Sequence, residues 1–480
     1  MPPDITAALR RRWNRVGGYR ELLTIALPLI AGTGAWSIQH FLDRMFLSWH
    51  SPEAVAAAMP AGLLAFTIGC TFIGTAGYVG TFTAQYLGAG LPRQCGSSLW
   101  QGIYVALAGG VVHLLFVPFA GTIFSFIGHG PIIEKYQQVY FIMLSFGGFF
   151  VIASAAMAGF LSGIGRTWPI MWTNIAVTTI NLFLDWILIF GNWGFPELGV
   201  AGAGLSTFIA MVSGTIIYSL ILVRPHYRRR YDTIKGWRFE KPLFSALIRY
   251  GFPSGLQFLI DTSGFTLFIF FVGRLGTEAL ASTTIAFNIS TLAFMPMIGI
   301  GIAVSVLVAR RLGENRPDLA RRSTWSAFHL TMGYMATISL FYFIRPEIFI
   351  FPFAKGAAPE NFTEISAACA TLLKFVAVYS LFDTMNIIFS SALKGAGDTH
   401  YIMRVTLALS VMLLIIPSWA AISFLSWGLY GLWTIASLYI ATTGCFFLVR
   451  FLGGTWESMR VIGEVPIVVP TTAPETPLPE

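Results

Sequence analysis

Twelve long apolar segments constrain the fold of this chain more than any other feature. A helix that crosses a bilayer needs about 20 mostly apolar residues, and twelve stretches between residues 22 and 452 reach that length. Only 11% of the residues are charged, which is too sparse to cover a soluble surface, since soluble domains carry about 25%. The sequence therefore predicts an all-α integral membrane protein with twelve transmembrane helices.

The basic residues collect on one side of the predicted membrane. Because Lys and Arg accumulate in cytoplasmic loops, their positions predict a multi-pass protein of the bacterial plasma (inner) membrane with both termini in the cytoplasm. This topology accounts for the net charge of +8, so we expect membrane lipid and no nucleic acid as a partner. The basic groups are Arg10, Arg11, Arg12, Arg15 and Arg20, then Arg224, Arg228, Arg229, Arg230, Lys235, Arg238, Lys241 and Arg249, and finally Arg310, Arg311, Arg316, Arg321 and Arg322.

The sequence gives no sign of catalytic or cofactor chemistry. Its four cysteines and seven histidines show neither CxxC nor HExxH spacing, and there is no phosphate-binding or dinucleotide-binding motif. A membrane-embedded enzyme would need a nucleophile, a metal or an acid-base pair near the membrane surface. We therefore expect no enzyme, no catalytic residue and no cofactor other than a transported ion.

The chain also repeats itself. With a shift of 225 residues, Pro28 aligns with Pro253 and Gly88 with Gly313. This predicts two pseudo-symmetric six-helix lobes related by an axis along the membrane normal, an arrangement typical of transporters. The predicted divisions are a basic cytoplasmic N-terminus at 1–21, an N-lobe at 22–223, a basic cytoplasmic linker at 224–246, a C-lobe at 247–452 and a cytoplasmic tail at 453–480 with a disordered end.

Two aspartates lie at matching depth in the predicted N-lobe, where a charge at a helix centre costs roughly 2.5–3.5 kcal/mol on insertion scales. Asp43 and Asp185 are each about six residues from the outer ends of helices one and five, or roughly 9 Å deep. Asn181 is one turn from Asp185, and Thr207 enters at roughly 12 Å on helix six. These oxygens can bind a metal ion such as Na⁺, or the carboxylates can share a proton. The alternative is that Asp43 pairs with Arg44.

A second pair lies in the predicted C-lobe. Asp261 on helix seven and Asp383 on helix ten both fall roughly 17 Å from the inner surface, near the midplane. Lys374 is nine residues from Asp383, which is too far to neutralise it directly. The pair is predicted to take part in ion coupling or substrate binding, and a structural salt bridge or hydrogen bond is the alternative.

Short motifs occur in a fixed order from about residue 22 to residue 452. They are ALP (26–28), FLD (41–43), AQYLGAG (84–90), GIGRT (163–167), NLFLD (181–185), FPELGVAGA (195–203), RLGE (311–314) and LKGAGDT (393–399). Together with their duplication, these motifs resemble those of the multidrug and toxic compound extrusion (MATE) family, and of its NorM-like members in particular.

The resemblance implies a V-shaped pair of lobes and antiport of Na⁺ or H⁺ against organic, often cationic, drugs. It also implies site residues: Asp383 matches the acidic residue of helix ten, and Asp261 stands where NorM-type members usually carry Glu. Arg44 is a further departure from the family pattern. The residues that match the family's N-lobe cation site, where Na⁺ would bind, are Asp43, Asn181, Asp185 and Thr207.

The function predicted from these features is secondary active antiport, with export of small organic, cationic drugs or toxic compounds in exchange for Na⁺ or H⁺. A flippase for lipid-linked oligosaccharides is the alternative within the same superfamily, and it would need several Arg or Lys in its cavity to hold pyrophosphate. A channel is a further alternative, which the two-lobed repeat disfavours.

Overall fold

The computed structural model describes residues 13–354 and 359–463. Arg10, Arg11 and Arg12, together with the predicted disordered end of the tail, lie outside these ranges. Twelve described helices are long and apolar enough to cross a membrane, which confirms the predicted fold class. They are α1 (Tyr19–His50), α2 (Pro52–Gly88), α3 (Gln94–Phe126), α4 (Pro131–Gly163), α5 (Trp168–Phe190), α6 (Val200–Val223), α7 (Lys241–Gly273), α8 (Thr277–Gly313), α9 (Pro317–Ile344), α10 (Glu364–Ala396), α11 (Thr399–Ser423) and α12 (Leu429–Leu452).

Local sequence signals set the ends of these helices. Ser51 lies between α1 and α2, and its hydroxyl accepts a hydrogen bond of 3.0 Å from the backbone N–H of Ala54, as is usual for a residue that caps a helix N-terminus. Pro52 then occupies the first helical turn, where its missing N–H costs nothing. The chain can therefore reverse within one residue, so that α1 and α2 are antiparallel neighbours.

The two halves of the chain pack their helices in the same order. In the first half α1 packs on α5, α2 and α3 pack on α4, and α4 packs on α6. In the second half α7 packs on α11, α8 and α9 pack on α10, and α10 packs on α12. Each pairing is the equivalent of one in the other half, so the two pseudo-symmetric six-helix lobes predicted from the repeat are confirmed.

The largest hydrophobic core of the described residues joins the two lobes. The largest cluster of buried side chains includes Leu22 and Phe82 of the N-lobe with Phe389 and Phe451 of the C-lobe. Two other clusters each stay within a single lobe. The shared core lies where α1 begins and α8 ends, close to the arginine-rich segments. We call this the basic end, and we call the opposite end of the helices the far end.

Glycines allow the helices of the two lobes to touch through their backbones at the basic end. A Cβ atom on Gly313 would lie 2.2 Å from the carbonyl oxygen of Gln85, and one on Gly88 would lie 2.2 Å from the carbonyl oxygen of Arg310. Under the 225-residue shift, Gly88 is equivalent to Gly313 and Gln85 to Arg310. The two contacts are therefore equivalent, because the pseudo-two-fold axis relates one to the other.

Polar groups hold the same end closed. The Tyr78 hydroxyl on α2 donates a hydrogen bond of 2.6 Å to the carbonyl of Lys394 at the end of α10. The buried Gln85 amide donates a hydrogen bond of 3.2 Å to the carbonyl of Gly395, the residue that follows Lys394. An ion pair of 2.5 Å joins Glu21 on α1 to Arg311 on α8. The lobes are thus connected by main-chain, side-chain and charge contacts, all near one membrane face.

Gly313→Ala tests the backbone contact between α2 and α8. The added methyl group would have to displace a carbonyl oxygen, and overpacking of this kind costs roughly 1–3 kcal/mol. We expect a fall of several degrees in the Tm of the purified protein in detergent. The control is Gly333→Ala in α9, where a Cβ would meet nothing within 4 Å; alanine favours the helix by about 1 kcal/mol, so Tm should be unchanged or higher. Equal Tm values for the two variants would contradict the close approach.

Candidate cation and substrate sites

Asp43 on α1 and Asp185 on α5 meet inside the N-lobe. Their carboxyl groups lie within hydrogen-bonding reach of each other, because α1 packs along α5 and places residues of equal depth side by side. Asp43 is 7% exposed and Asp185 is 0% exposed. Arg44 is exposed, and within the described ranges it forms no salt bridge with Asp43. Asp43 therefore faces Asp185, and the alternative pairing with Arg44 is absent from the described structure.

Polar side chains from α4, α5 and α6 complete this N-lobe cluster. The Ser206 hydroxyl donates a hydrogen bond to Asp185. The Tyr140 hydroxyl lies near Thr207 and both carboxylates. Asn181 is fully buried one turn before Asp185 on the same face of α5. The structure thus places the four residues predicted for the N-lobe site in one buried region of that lobe.

Several buried polar atoms of this cluster lack a partner. Among the residues that the structure describes, one carboxyl oxygen of Asp43, one of Asp185 and both amide atoms of Asn181 make no hydrogen bond. Buried polar groups are satisfied in the great majority of cases, so this concentration of free oxygens needs an explanation. Carboxylate, amide and hydroxyl oxygens are ligands for hard cations, and a proton shared between two carboxyl groups would satisfy the same pair. The donor set fits either ion.

Sequence reasoning missed two members of the N-lobe cluster. Ser206 directly precedes the predicted site residue Thr207 in the sequence. Adjacent residues on a helix point about 100° apart, so this neighbourhood alone does not predict that the Ser206 side chain faces the site. Tyr140 lies on α4, which carries none of the four residues predicted for the N-lobe site, and the packing of α4 against α6 brings its hydroxyl near Thr207.

Asp261 on α7 and Asp383 on α10 form a second, more open site. Asp261 accepts a hydrogen bond of 3.3 Å from Gln257, and Asp383 accepts one of 2.9 Å from Asn386. The Tyr439 hydroxyl on α12 lies near both carboxylates. Both aspartates are partly exposed, whereas the N-lobe pair is buried. We call this group of side chains from α7, α10 and α12 the C-lobe opening.

The C-lobe opening has two features that the sequence did not reveal. Of the two lysines of α10, Lys394 is partly exposed at the end of the helix, whereas Lys374 is exposed and lies over the ring of Phe343 at 5.8 Å. In addition, α11 contains a π-helical turn at Ser410–Ile415, and Ser410 lies near Tyr439 of α12. Turns of this kind are frequent at functional sites.

Two pseudo-symmetric six-helix lobes, with intramembrane carboxylates in each, are typical of multi-pass membrane transporters. The MatE family model matches residues 28–187 and 253–420, and these two segments begin 225 residues apart, as the repeat does. The chain belongs to the MatE family, and the resemblance that its motifs carry is confirmed.

Curated relatives of similar length support this membership. The chain is 25% identical over 453 residues to a probable multidrug resistance protein NorM of Thermotoga maritima, which covers 92% of this chain and 94% of the relative. It is 28% identical over 399 residues to a probable multidrug resistance protein NorM of Bradyrhizobium diazoefficiens, covering 82% and 84% of the two chains.

Solved structures of low sequence identity have the same fold. A MATE structure in the bent conformation superimposes with a TM-score of 0.82 at 18% identity, covering 95% of this chain and 99% of that chain. A multidrug resistance MATE family transporter of the MOP superfamily in an outward-facing conformation superimposes with a TM-score of 0.82 at 17% identity, covering 91% of this chain and 96% of that chain. These similarities concern the fold alone.

The N-lobe cluster predicts a cation-dependent stability. A cation that binds only the folded protein adds about 2.7 kcal/mol when its concentration is 100 times Kd. We expect the Tm of the purified protein to rise with NaCl relative to choline chloride if the ion is Na⁺, or to depend on pH if the ion is H⁺. Asp43→Asn should abolish that dependence.

The matched control for this measurement is Asp318→Asn, which changes an exposed carboxylate that pairs with Arg316 at the basic end. This variant should retain the full dependence on the cation. If Asp43→Asn also retained it, the cation would bind elsewhere and the N-lobe cluster would be only a structural feature.

Proposed function

We propose that this protein is a secondary active antiporter that exports small organic cations in exchange for Na⁺ or H⁺. The observation that carries the proposal is the contrast between the two lobes. The N-lobe carboxylates are buried with unpaired oxygens, which suits a small ion. The C-lobe carboxylates are partly exposed beside an aromatic hydroxyl, which suits a larger organic cation. The names of the NorM relatives, which describe multidrug resistance, agree with such substrates.

The proposed mechanism is exchange by differential affinity. A cation entering from the far end binds between Asp43 and Asp185 and removes the repulsion between the two carboxylates. The helices around the site then repack, which lowers the affinity of the C-lobe opening for the organic cation. By linkage, the organic cation must weaken ion binding by the same factor. The closed basic end keeps the substrate from returning during this step.

The membrane orientation belongs to the same proposal. The basic end faces the cytoplasm, because Lys and Arg accumulate on that side, and the far end faces outward, so the protein lies in the bacterial inner membrane with both termini in the cytoplasm. Ser51 joins α1 and α2 at the far end, and Ser458 follows α12 at the basic end.

Cysteine labelling checks this orientation. In a Cys445→Ser background, which removes the exposed native cysteine, Ser51→Cys should react with a membrane-impermeant maleimide in intact cells. Ser458→Cys should react only after the cells are permeabilised. The reverse labelling pattern would show that the protein has the opposite orientation in the membrane, and the proposed direction of transport would then be import.

Transport is tested in proteoliposomes loaded with ethidium under an imposed Na⁺ or H⁺ gradient. We expect one of the two gradients to drive ethidium movement in the wild type. Asp185→Asn should reduce the rate at least about tenfold, since loss of a coupling ligand removes the driving ion. Asp318→Asn is again the control and should transport normally.

The same assay distinguishes the proposed antiporter from the alternative function. If neither gradient drove ethidium movement in the wild type, the antiporter proposal would be wrong. A flippase for lipid-linked oligosaccharides would then be the function to test, by following the transfer of a fluorescent lipid-linked sugar between bilayer leaflets.

A further inference from the structure

A cavity of about 290 Å³ lies at the basic end, between the segment that precedes α1 and the first turns of α9. It shares no residue with either acidic site. Its lining is rich in basic and aromatic side chains and consists of Arg15, Tyr19, Asp318, Arg321, Arg322, Trp325, Ser326 and His329. Three arginines against one aspartate give the lining a net positive charge, so the cavity suits an anion. We call it the α1–α9 cavity.

Two charged side chains of the lining already have partners. Asp318 pairs with Arg316 at 3.2 Å, and Arg321 pairs with Glu457 at 2.6 Å. The carboxylate of the lining is therefore compensated by an arginine outside the cavity, and one of the three arginines of the lining is itself compensated.

Arg15 and Arg322 differ from these pairs, because within the described part of the chain neither forms a salt bridge. Arg15 is exposed and Arg322 is half-buried. The Cδ atom of Arg322 lies 3.5 Å from the place where a Cβ on Gly17 would be, which brings Arg322 against the segment that carries Arg15. These two guanidinium groups are the charges that a bound anion would meet.

The segment before α1 is fixed against α9. Gly17 has a positive φ of 74°, which glycine adopts without strain, and its carbonyl accepts a hydrogen bond of 2.8 Å from the Ser326 hydroxyl of α9. The N–H of Gly18 donates a hydrogen bond of 2.8 Å to the carbonyl of Arg15. The backbone that carries Arg15 is therefore held in place, and the cavity between the two arginines is preformed.

The surroundings of the α1–α9 cavity favour a lipid over a soluble anion. Trp13 and Val16 flank Arg15 and are 45% and 52% exposed, and Tyr19 and Trp325 belong to the lining. Trp and Tyr are enriched at the membrane–water interface, and basic pockets between transmembrane helices bind anionic lipid head groups. A guanidinium group can bind two phosphate oxygens at once.

We propose that the α1–α9 cavity binds the phosphodiester of an anionic phospholipid, with Arg15 and Arg322 as its ligands. Arg15 precedes the first helix of the N-lobe and Arg322 lies on a helix of the C-lobe, so the bound lipid connects the two lobes at the closed basic end. This site is separate from the proposed transport function and does not depend on it.

Native mass spectrometry of the purified protein in an uncharged detergent tests the site. The protein is titrated with dioleoylphosphatidylglycerol, and the Kd of the first bound lipid is measured. Arg15→Gln combined with Arg322→Gln should raise this Kd at least about tenfold, because each arginine adds attraction for an anionic lipid.

The matched control combines Arg228→Gln with Arg229→Gln. These two arginines of the linker are exposed, form no salt bridge among the described residues and lie outside the cavity lining. The control changes the net charge by the same amount and should keep the wild-type Kd.

Two further probes distinguish the sources of a phosphate group. Dioleoylphosphatidylcholine has the same phosphodiester with a compensating cation, so it should bind more weakly than dioleoylphosphatidylglycerol. Inorganic phosphate at the same concentration as the lipid should not displace it, because phosphate lacks the apolar part that contacts the aromatic side chains.

Each outcome supports or overturns the proposal. A loss of lipid affinity in the Arg15/Arg322 variant alone supports it, whereas an equal loss in both double variants would show that only net charge attracts the lipid. No bound lipid in the wild type, or equal affinity for the two lipids, would overturn the preference for an anionic lipid. Displacement by inorganic phosphate would assign the cavity to a soluble phosphate.

A single substitution keeps the test decisive if the double variant does not fold. The Arg15 side chain forms no hydrogen bond or salt bridge within the described ranges, so Arg15→Gln should fold normally. It should raise the Kd about threefold if the two arginines contribute equally and additively. An unchanged Kd would overturn the role of Arg15.

Discussion

The backbone contact between α2 and α8 at the basic end is the constraint on which the rest of the structure depends. Gly88 and Gly313 each bring a helix against a carbonyl oxygen of the other lobe, and no larger residue fits there without displacing backbone. Small residues allow such close approach between membrane helices, where burial of apolar surface gives little driving force. Because this contact lies at one end, the shared hydrophobic core also lies there. Contacts between the lobes continue towards mid-helix, where Gly255 of α7 lies against the backbone of α2 and Gly299 of α8 lies against Ile30 of α1, whereas two further hydrophobic cores each stay within a single lobe.

The duplicated framework carries different chemistry in its two halves. Under the 225-residue shift, Phe268 stands in the position of Asp43, and Trp36 stands in the position of Asp261. Phe268 is buried in the core of the C-lobe, so the position that bears a carboxylate in one lobe serves packing in the other. One lobe has a buried acidic cluster and the other has a partly exposed one. An exchanger needs this asymmetry if a small ion and a large organic molecule are to be held at separate places.

The sequence predicted the spans, the repeat and the depth of the acidic residues, because hydropathy and residue counting measure position along a helix. The pairing of Asp43 with Asp185 followed from equal depth and was found in the structure. Counting does not give the rotation of a helix or its neighbours, so Tyr140 on α4 was missed. The π-helical turn around Ser410 in α11 was missed for a related reason, because its place near Tyr439 depends on how α11 packs against α12. Charged groups from different helices meet through tertiary packing, which a single sequence does not encode in a periodic pattern.

Helix α1 is the element through which the two sites can influence each other. One face of α1 presents Asp43 to α5, and the same helix contacts α8 of the other lobe, where the Ser37 hydroxyl lies 3.2 Å from the sulfur of Met295. Nearer the basic end, Ile30 lies so close to Gly299 that a Cβ there would meet it at 2.6 Å. Packed interfaces of this density have discrete arrangements and do not deform continuously. A cation that changes the preferred position of α1 at Asp43 would therefore change its packing against α8, which in turn packs along α10, the helix that carries Asp383. Coupling between ion and substrate then requires no direct contact between the two sites, only a shared helix whose two positions they favour to different extents.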